Sequence, residues 1–176
     1  MRFEKQAIDG VFLVELERSD DERGFFARSF CEDEFAAEGL VNRFAQSSIS
    51  FNARRGTVRG MHFAVAPHGE TKLVRCTAGA IHDVIVDLRP NSPTYLQTLS
   101  VELSARDRRT LYIPSDFAHG FQVLCDETEI LYMIDRPFAA GAARGIRWND
   151  PAIRIEWPAP ITVISEKDLR FADWVR

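Results

Sequence analysis

Four ionisable side chains fall at positions where the surrounding pattern calls for apolar ones. Alternate residues of a strand share a face, and in the run KLVRC (Lys72 to Cys76) the lysine lies with Val74 and Cys76. His119 lies with Phe121, Val123 and Cys125, Tyr132 with Ile130 and Ile134, and His62 follows Val58 and Gly60. Two imidazoles, an ammonium and a phenol turned inward need partners, because an unpaired buried polar group costs stability. Gathered in one cavity, they form a set suited to moving protons and to holding developing negative charge. Taken singly, each has a plainer reading as a hydrogen-bonded core residue. Asp168 likewise fits Ser165-x-x-Asp168, a weakened helix capping box.

Such faces require strands to carry them. Alternating runs recur at VFLVELE (Val11 to Glu17), TVRGMHF (Thr57 to Phe63), KLVRC and AIHDVIVDL (Ala80 to Leu88). They continue at TLSVELS (Thr98 to Ser104), RTLYIP (Arg109 to Pro114), HGFQVLC (His119 to Cys125) and TEILYMID (Thr128 to Asp135). Short runs of this kind, broken by Gly, Pro, Asn and Asp, predict an antiparallel sandwich or barrel. Helical signal is confined to Glu32 to Leu40, with acids in its first turn and Gly39 near its end, and to a second start at Ser165. Strict alternation puts Arg59 and His62 on opposite faces. Gly60, between them, is where a bulge or a close backbone approach would change that count, and both arrangements stay open.

The chain of 176 residues is long enough for one core without staples, and no repeat or linker divides it, so a single domain over residues 1–176 is expected. Hydrophobic residues at 45% and charged ones at 27% give the balance of a soluble globular protein. No apolar run is long enough to span a bilayer, and the first residues lack the apolar core of a secretory signal, so a cytoplasmic location is expected. A net charge of −4 without a basic stripe argues against nucleic acid, though local arginines can still hold a diphosphate. Cys31, Cys76 and Cys125 are odd in number and scattered, which favours reduced core thiols over disulfides or zinc.

Ten ordered blocks give the chain a resemblance to the dTDP-4-dehydrorhamnose 3,5-epimerase family. They include Asp21-Glu22-Arg23-Gly24-Phe25-Phe26, Val58-Arg59-Gly60-Met61-His62-Phe63, Lys72-Leu73-Val74-Arg75 and Asp83-Val84-Ile85-Val86-Asp87-Leu88-Arg89. Phe117-Ala118-His119-Gly120-Phe121, Leu131-Tyr132, Trp148-Asn149-Asp150-Pro151 and Ser165-Glu166-Lys167-Asp168 follow downstream. The resemblance implies an all-β, cupin-like jelly-roll barrel with a few short helices, a homodimer, and no metal or organic cofactor. It implies an isomerase acting on a nucleoside-diphosphate 4-keto-6-deoxyhexose in deoxysugar, rhamnose and polysaccharide biosynthesis. By position, the family's catalytic histidine falls on His62, its orienting aspartate on Asp168 and its tyrosine acid on Tyr132. The diphosphate-contacting arginines fall on Arg23 and Arg59, and the motif lysine and second histidine on Lys72 and His119. Phe26, Gln46, Phe138 and Lys167 fall among the remaining substrate-contacting positions.

This set suits a proton transfer beside a ketone. A 4-keto group acidifies the hydrogens on C3 and C5, and an imidazole, with an ordinary pKa of about 6.5, is matched to take one near neutral pH. Lys72 and His119 are placed to hold an enolate oxygen, and forked guanidinium donors suit phosphate. The chain departs from the family pattern at Arg28, Ser48, Ala64, Glu70, Pro137 and Phe138, all positions of nucleotide or sugar recognition. An inversion at C3 alone, a ketoisomerase or a non-catalytic sugar-binding cupin are therefore the alternatives. A metal-dependent cupin is disfavoured, since His62, His68, His82 and His119 form no H-x-H pair. His82 reads as a packing residue and His68 as a loop residue.

Overall fold

The structure, a computed structural model, describes residues 1–175. One antiparallel sheet runs β1 (Arg2–Lys5), β2 (Phe12–Glu15), β10 (Thr110–Ile113), β7 (Lys72–Ala78), β12 (Thr128–Ile134), β5 (Gln46–Asn52). The second runs β13 (Ala143–Gly145), β6 (Thr57–Ala64), β11 (Phe117–Val123), β8 (Ala80–Asp87), β9 (Thr98–Ser104), with β14 (Val163–Ile164) joined in parallel to β6. A separate hairpin pairs β3 (Arg18–Asp21) with β4 (Gly24–Ala27). The eight alternating runs all become strands, and the all-β, cupin-like jelly roll is the observed architecture. No helix among the described residues is long and apolar enough to cross a membrane.

Alternation explains how the sheets meet. Val74, Cys76 and Ile130 from the first sheet and Ile81, Ile85, Phe121 and Val123 from the second form one buried cluster. Lys72, His119 and Tyr132 extend the same inward faces towards one end of the interior. The outer faces are covered too: Met61, Val84, Val86 and Ala118 pack under Ile146 and Ile153. Phe12, Val14, Leu73 and Tyr112 pack under Phe35 of α1 (Glu32–Ala37). Gly39, at φ 70°, takes the left-handed conformation that ends a helix, and the Leu40 N–H bonds to the Phe35 carbonyl.

Only one cysteine meets the expectation of a core thiol. Cys76 is buried, and burial pushes its thiol up to about 11. Cys31 is half-buried at the start of α1, and Cys125 is exposed because β11 ends at Val123, short of the position that would have pointed it inward. His82 packs edge-on against Trp157, and His68 is exposed in a turn.

The question left open between Arg59 and His62 is resolved by a bulge. His62 stands opposite His119 and Arg59 opposite Phe121, so three steps along β6 match two along β11. The extra residue returns Arg59 and His62 to the same face. Gly60 has φ 135°, which L side chains rarely adopt, and a Cβ there would lie 2.5 Å from the Gly120 Cα. A Cβ on Gly120 would in turn meet the Met61 Sδ at 2.6 Å and the Arg59 carbonyl at 2.8 Å. Neither position has room for a side chain.

The segment after β8 is organised around one buried carboxylate. Asp87 accepts hydrogen bonds from the Arg89 N–H and guanidinium, from Ser92 Oγ and from Thr94 Oγ1. Burial alone would raise its pKa, but these donors hold it down at about 2, against an ordinary 3.8. A depressed folded pKa means that the stabilisation is complete above the unfolded value and is lost as the pH falls through the folded one. Asp87→Asn should therefore cost about 2 kcal/mol of unfolding free energy at neutral pH. In urea titrations the deficit should shrink between 3.8 and about 2. A deficit that is constant with pH would remove the charge from the explanation.

Candidate active site

The inward polar residues line two cavities of about 260 and 270 Å³ that share Ser48, His62, Lys72 and Ile134. Arg59, His119 and Tyr132 border the second, and Gln46, Glu70, Phe138 and Lys167 the first. The two sheets contribute opposite walls, with His62 and His119 from the second and Lys72 and Tyr132 from the first.

His62 bonds through Nε2 to Asp168 Oδ1 at 2.7 Å. Asp168, on α2 (Glu166–Leu169), is buried and also accepts the Gly60 N–H at 3.3 Å. Its backbone N–H donates to Ser165 Oγ, so the cap is present, yet its carboxylate turns to His62 rather than back to the Ser165 N–H. One residue thus makes both the cap and the His62 contact, through different atoms. Burial pushes the Asp168 carboxyl up, but the His62 hydrogen bond and charge, the Gly60 N–H and the Ser165 hydroxyl outweigh it and hold the pKa below the ordinary value. An ionised carboxylate only accepts, so Nε2 carries the proton, and the lone pair of the neutral imidazole sits on Nδ1.

Beside this pair stands a second one. His119, 5% exposed, bonds through Nε2 to Asp83 Oδ2 at 2.8 Å. Asp83 was not among the expected site residues. Its signal was a carboxylate alternating with Ile81 and Ile85 on an inward face, diagonal to His119 across the β8–β11 ladder. Asp83 Oδ1 has no hydrogen-bond partner among the described residues. Tyr132 meets the His119 ring edge-on, with centroids 6.1 Å apart. Burial, reinforced by the Asp83 charge and partly offset by Arg59, raises the Tyr132 pKa and keeps the hydroxyl protonated.

Lys72 is 8% exposed, with its Nζ 3.5 Å from Glu70 Oε2. Burial lowers its pKa, and the charges of Glu70 and Asp83 oppose that fall. Arg59 is clamped by its Nε to Asn52 Oδ1 at 2.7 Å and by Nη2 to the Phe51 carbonyl. Gln46 is tied to the Arg136 carbonyl at 2.8 Å. Phe138, 71% exposed, forms the rim, and Arg144 joins it from β13 without any periodic signal in the sequence.

Arg23 and Phe26 are not brought to this cavity. Both project from the β3–β4 hairpin, Arg23 paired among the described residues only with Asp21 and Phe26 79% exposed. Arg28, near the same hairpin, pairs with Glu34 and is also outside it. The departures at Ser48, Ala64, Glu70 and Phe138 do line it, beside His62.

The family profile described as dTDP-4-dehydrorhamnose 3,5-epimerase matches residues 5–175. A protein of that name from Sinorhizobium fredii is 43% identical over 169 residues, covering 96% of this chain and 87% of the relative. A crystal structure of the Bacillus anthracis enzyme of the same name, with TDP and PPi bound, superposes with a TM-score of 0.95. It is 36% identical and covers 98% of this chain and 99% of that one. An epimerase structure from Legionella pneumophila in complex with dTDP-4-keto-L-rhamnose gives a TM-score of 0.91 at 33% identity, covering 98% and 92%.

The electrostatics of Lys72 can be tested without substrate. Removing the Glu70 charge takes away the largest influence opposing burial, so Glu70→Gln should move the Lys72 pKa further down. An NMR titration of the labelled lysine side chain reads this directly. An upward shift, or none, would mean that Glu70 does not set the lysine charge.

Proposed function

This chain belongs to the dTDP-4-dehydrorhamnose 3,5-epimerase family, and we propose that His62, Asp168 and Tyr132 perform the family's reaction here. The enzyme is an isomerase that inverts a dTDP-linked 4-keto-6-deoxyhexose by removing and returning protons beside the ketone. His62 Nδ1 takes the proton from carbon, and the C–H electrons move into the C4 carbonyl to give an enolate. Asp168 stabilises the imidazolium as its ionised partner, the division of labour found in hydrolase triads. Lys72 donates to the enolate oxygen, beside His119, whose Nε2 is engaged with Asp83. Tyr132 then gives its proton to the same carbon from the opposite side, and exchange with water resets both groups.

The observation that carries this reading is the distribution of base and acid over the two sheets. His62 stands on β6 and Tyr132 on β12, across an interior whose facing sheets lie about 10 Å apart. A sugar ring between them meets the base on one face and the acid on the other, as inversion requires. The raised Tyr132 pKa supports the role by keeping the phenol protonated.

The positions of Arg23 and Phe26 bear on assembly. Both belong with the substrate by resemblance, yet neither borders the cavity of its own chain. A homodimer in which each hairpin reaches the other subunit's cavity reconciles the two. It would also cover the apolar outer face of β5 and β12, where Ile49 is 63% exposed beside Leu131 and Phe51 is 55% exposed. Mixing His62→Ala protein with Arg23→Ala protein, both weak alone, should then restore activity, because one site of each mixed dimer is complete. No recovery after subunit exchange would put Arg23 in its own subunit's chemistry or in none.

The chemistry is read by incubating the dTDP-4-keto-6-deoxyglucose substrate in D₂O and following deuterium by NMR. His62→Ala should nearly abolish incorporation, and Asp168→Asn should lower it about 10²- to 10⁴-fold with the fold intact. Ser165→Ala should cost about 1 kcal/mol of stability and lower the rate far less than Asp168→Asn does. Deuterium should enter C3 before C5, because the second abstraction requires the ring to re-seat among Ala64, Glu70 and Phe138, which depart from the family. Exchange at C5 alone, or migration of the ketone to C3, would place the chemistry on another carbon.

A further inference from the structure

A hydrogen bond fixes one atom of an imidazole but not the plane of its ring. Rotation about the Nε2···Oδ1 line would swing Nδ1 away from the cavity, and the outer torsion of a histidine side chain is broad. Something else must hold the His62 ring. The side chain in contact is Phe171, three residues beyond Asp168. Its ring meets the imidazole edge-on, with centroids 5.7 Å apart and planes at 77°.

Phe171 is itself held in a fitted seat. Gly145 of β13 pairs directly with His62 of β6, and the Phe171 ring occupies the space that a side chain at Gly145 would need. Lys167 Nζ lies 6.0 Å from the centre of the same ring. The following residues are pinned to the body of the protein. The Arg147 N–H donates to the Ala172 carbonyl, Arg147 pairs with Asp173 at 2.7 Å, and Trp174 Nε1 donates to the Tyr95 hydroxyl at 2.9 Å. The ring is thus wedged between a strand with no side chain at that point and the imidazole.

We infer that Phe171, seated in the space left open by Gly145, is a positioning residue that fixes the plane of the His62 ring so that Nδ1 faces the substrate. The inference rests on His62 being the base. Phe171 lines neither cavity and acts through the imidazole. Its loss therefore lowers kcat more than it changes KM, since of the expected substrate-contacting side chains only Lys167 lies against its ring.

Deuterium incorporation under saturating substrate, measured on protein shown to be folded by circular dichroism, is the readout. Phe171→Ala should lower kcat about 10- to 100-fold, the scale of a misplaced catalytic group. Phe171→Tyr, which keeps the flat ring, should retain the wild-type value, whereas Phe171→Leu, which keeps apolar bulk but no ring edge, should still lose kcat. Gly145→Ala expels the ring and should reproduce the loss. The double variant Gly145→Ala/Phe171→Ala should be no worse than the poorer single one, because both remove the same contact. Wild-type kcat in folded Phe171→Leu, or losses that multiply in the double variant, would overturn the inference. Exchange persisting in His62→Ala would instead overturn the assignment of the base, so the two failures are distinguishable.

Discussion

Strands β6 and β11 touch backbone to backbone at Gly60 and Gly120, and the site depends on that contact. The absence of both side chains lets the strands close up while β6 carries its extra residue, and the extra residue turns Arg59 and His62 to the same side. The Gly60 N–H, released from regular pairing, donates to Asp168 and holds the carboxylate against His62. His119 is the cross-strand neighbour of His62 in the same ladder. One steric constraint thus aligns Arg59, His62, Asp168 and His119.

Most of this architecture was legible in the sequence because most strands alternate plainly. β5 was not, because its pattern is reversed. Ser48 and Ser50 point inward beside Tyr132 and Ile130, while Ile49 and Phe51 point out, and in a single sequence the serines read as loop. The β3–β4 hairpin, RSDD against GFFA, has no buried face at all, and so no periodicity to read. His62, Asp168 and Tyr132 were legible as candidates because each interrupts an apolar face or matches a family block. Asp83 was passed over although it obeys the same rule, its carboxylate lying in a run otherwise read as packing. Phe171 carried no signal, since a phenylalanine near a short helix is ordinary until its neighbour proves to be a glycine.

The interior sets carboxylates against nitrogen partners. Asp168 faces His62, Asp83 faces His119 and Glu70 faces Lys72, each within hydrogen-bonding or ion-pairing distance. Buried charges are tolerated when paired, and breaking one partner leaves the other uncompensated. Dipoles fixed in this way need little reorganisation as an enolate forms, which is where preorganised sites gain most over water. Phe138 at the cavity rim and the β3–β4 hairpin away from it are exposed instead, where substitutions cost the fold little.

The short helix α2 adds a consequence on the axis of temperature. It has four residues, its Leu169 is exposed, and it is tied to β6 mainly through Asp168 and Phe171. Units with few buried contacts open at a lower free energy than the strands they cover. α2 is therefore expected to open at a lower temperature than the sheets melt, so that heating would end activity before it ends the fold.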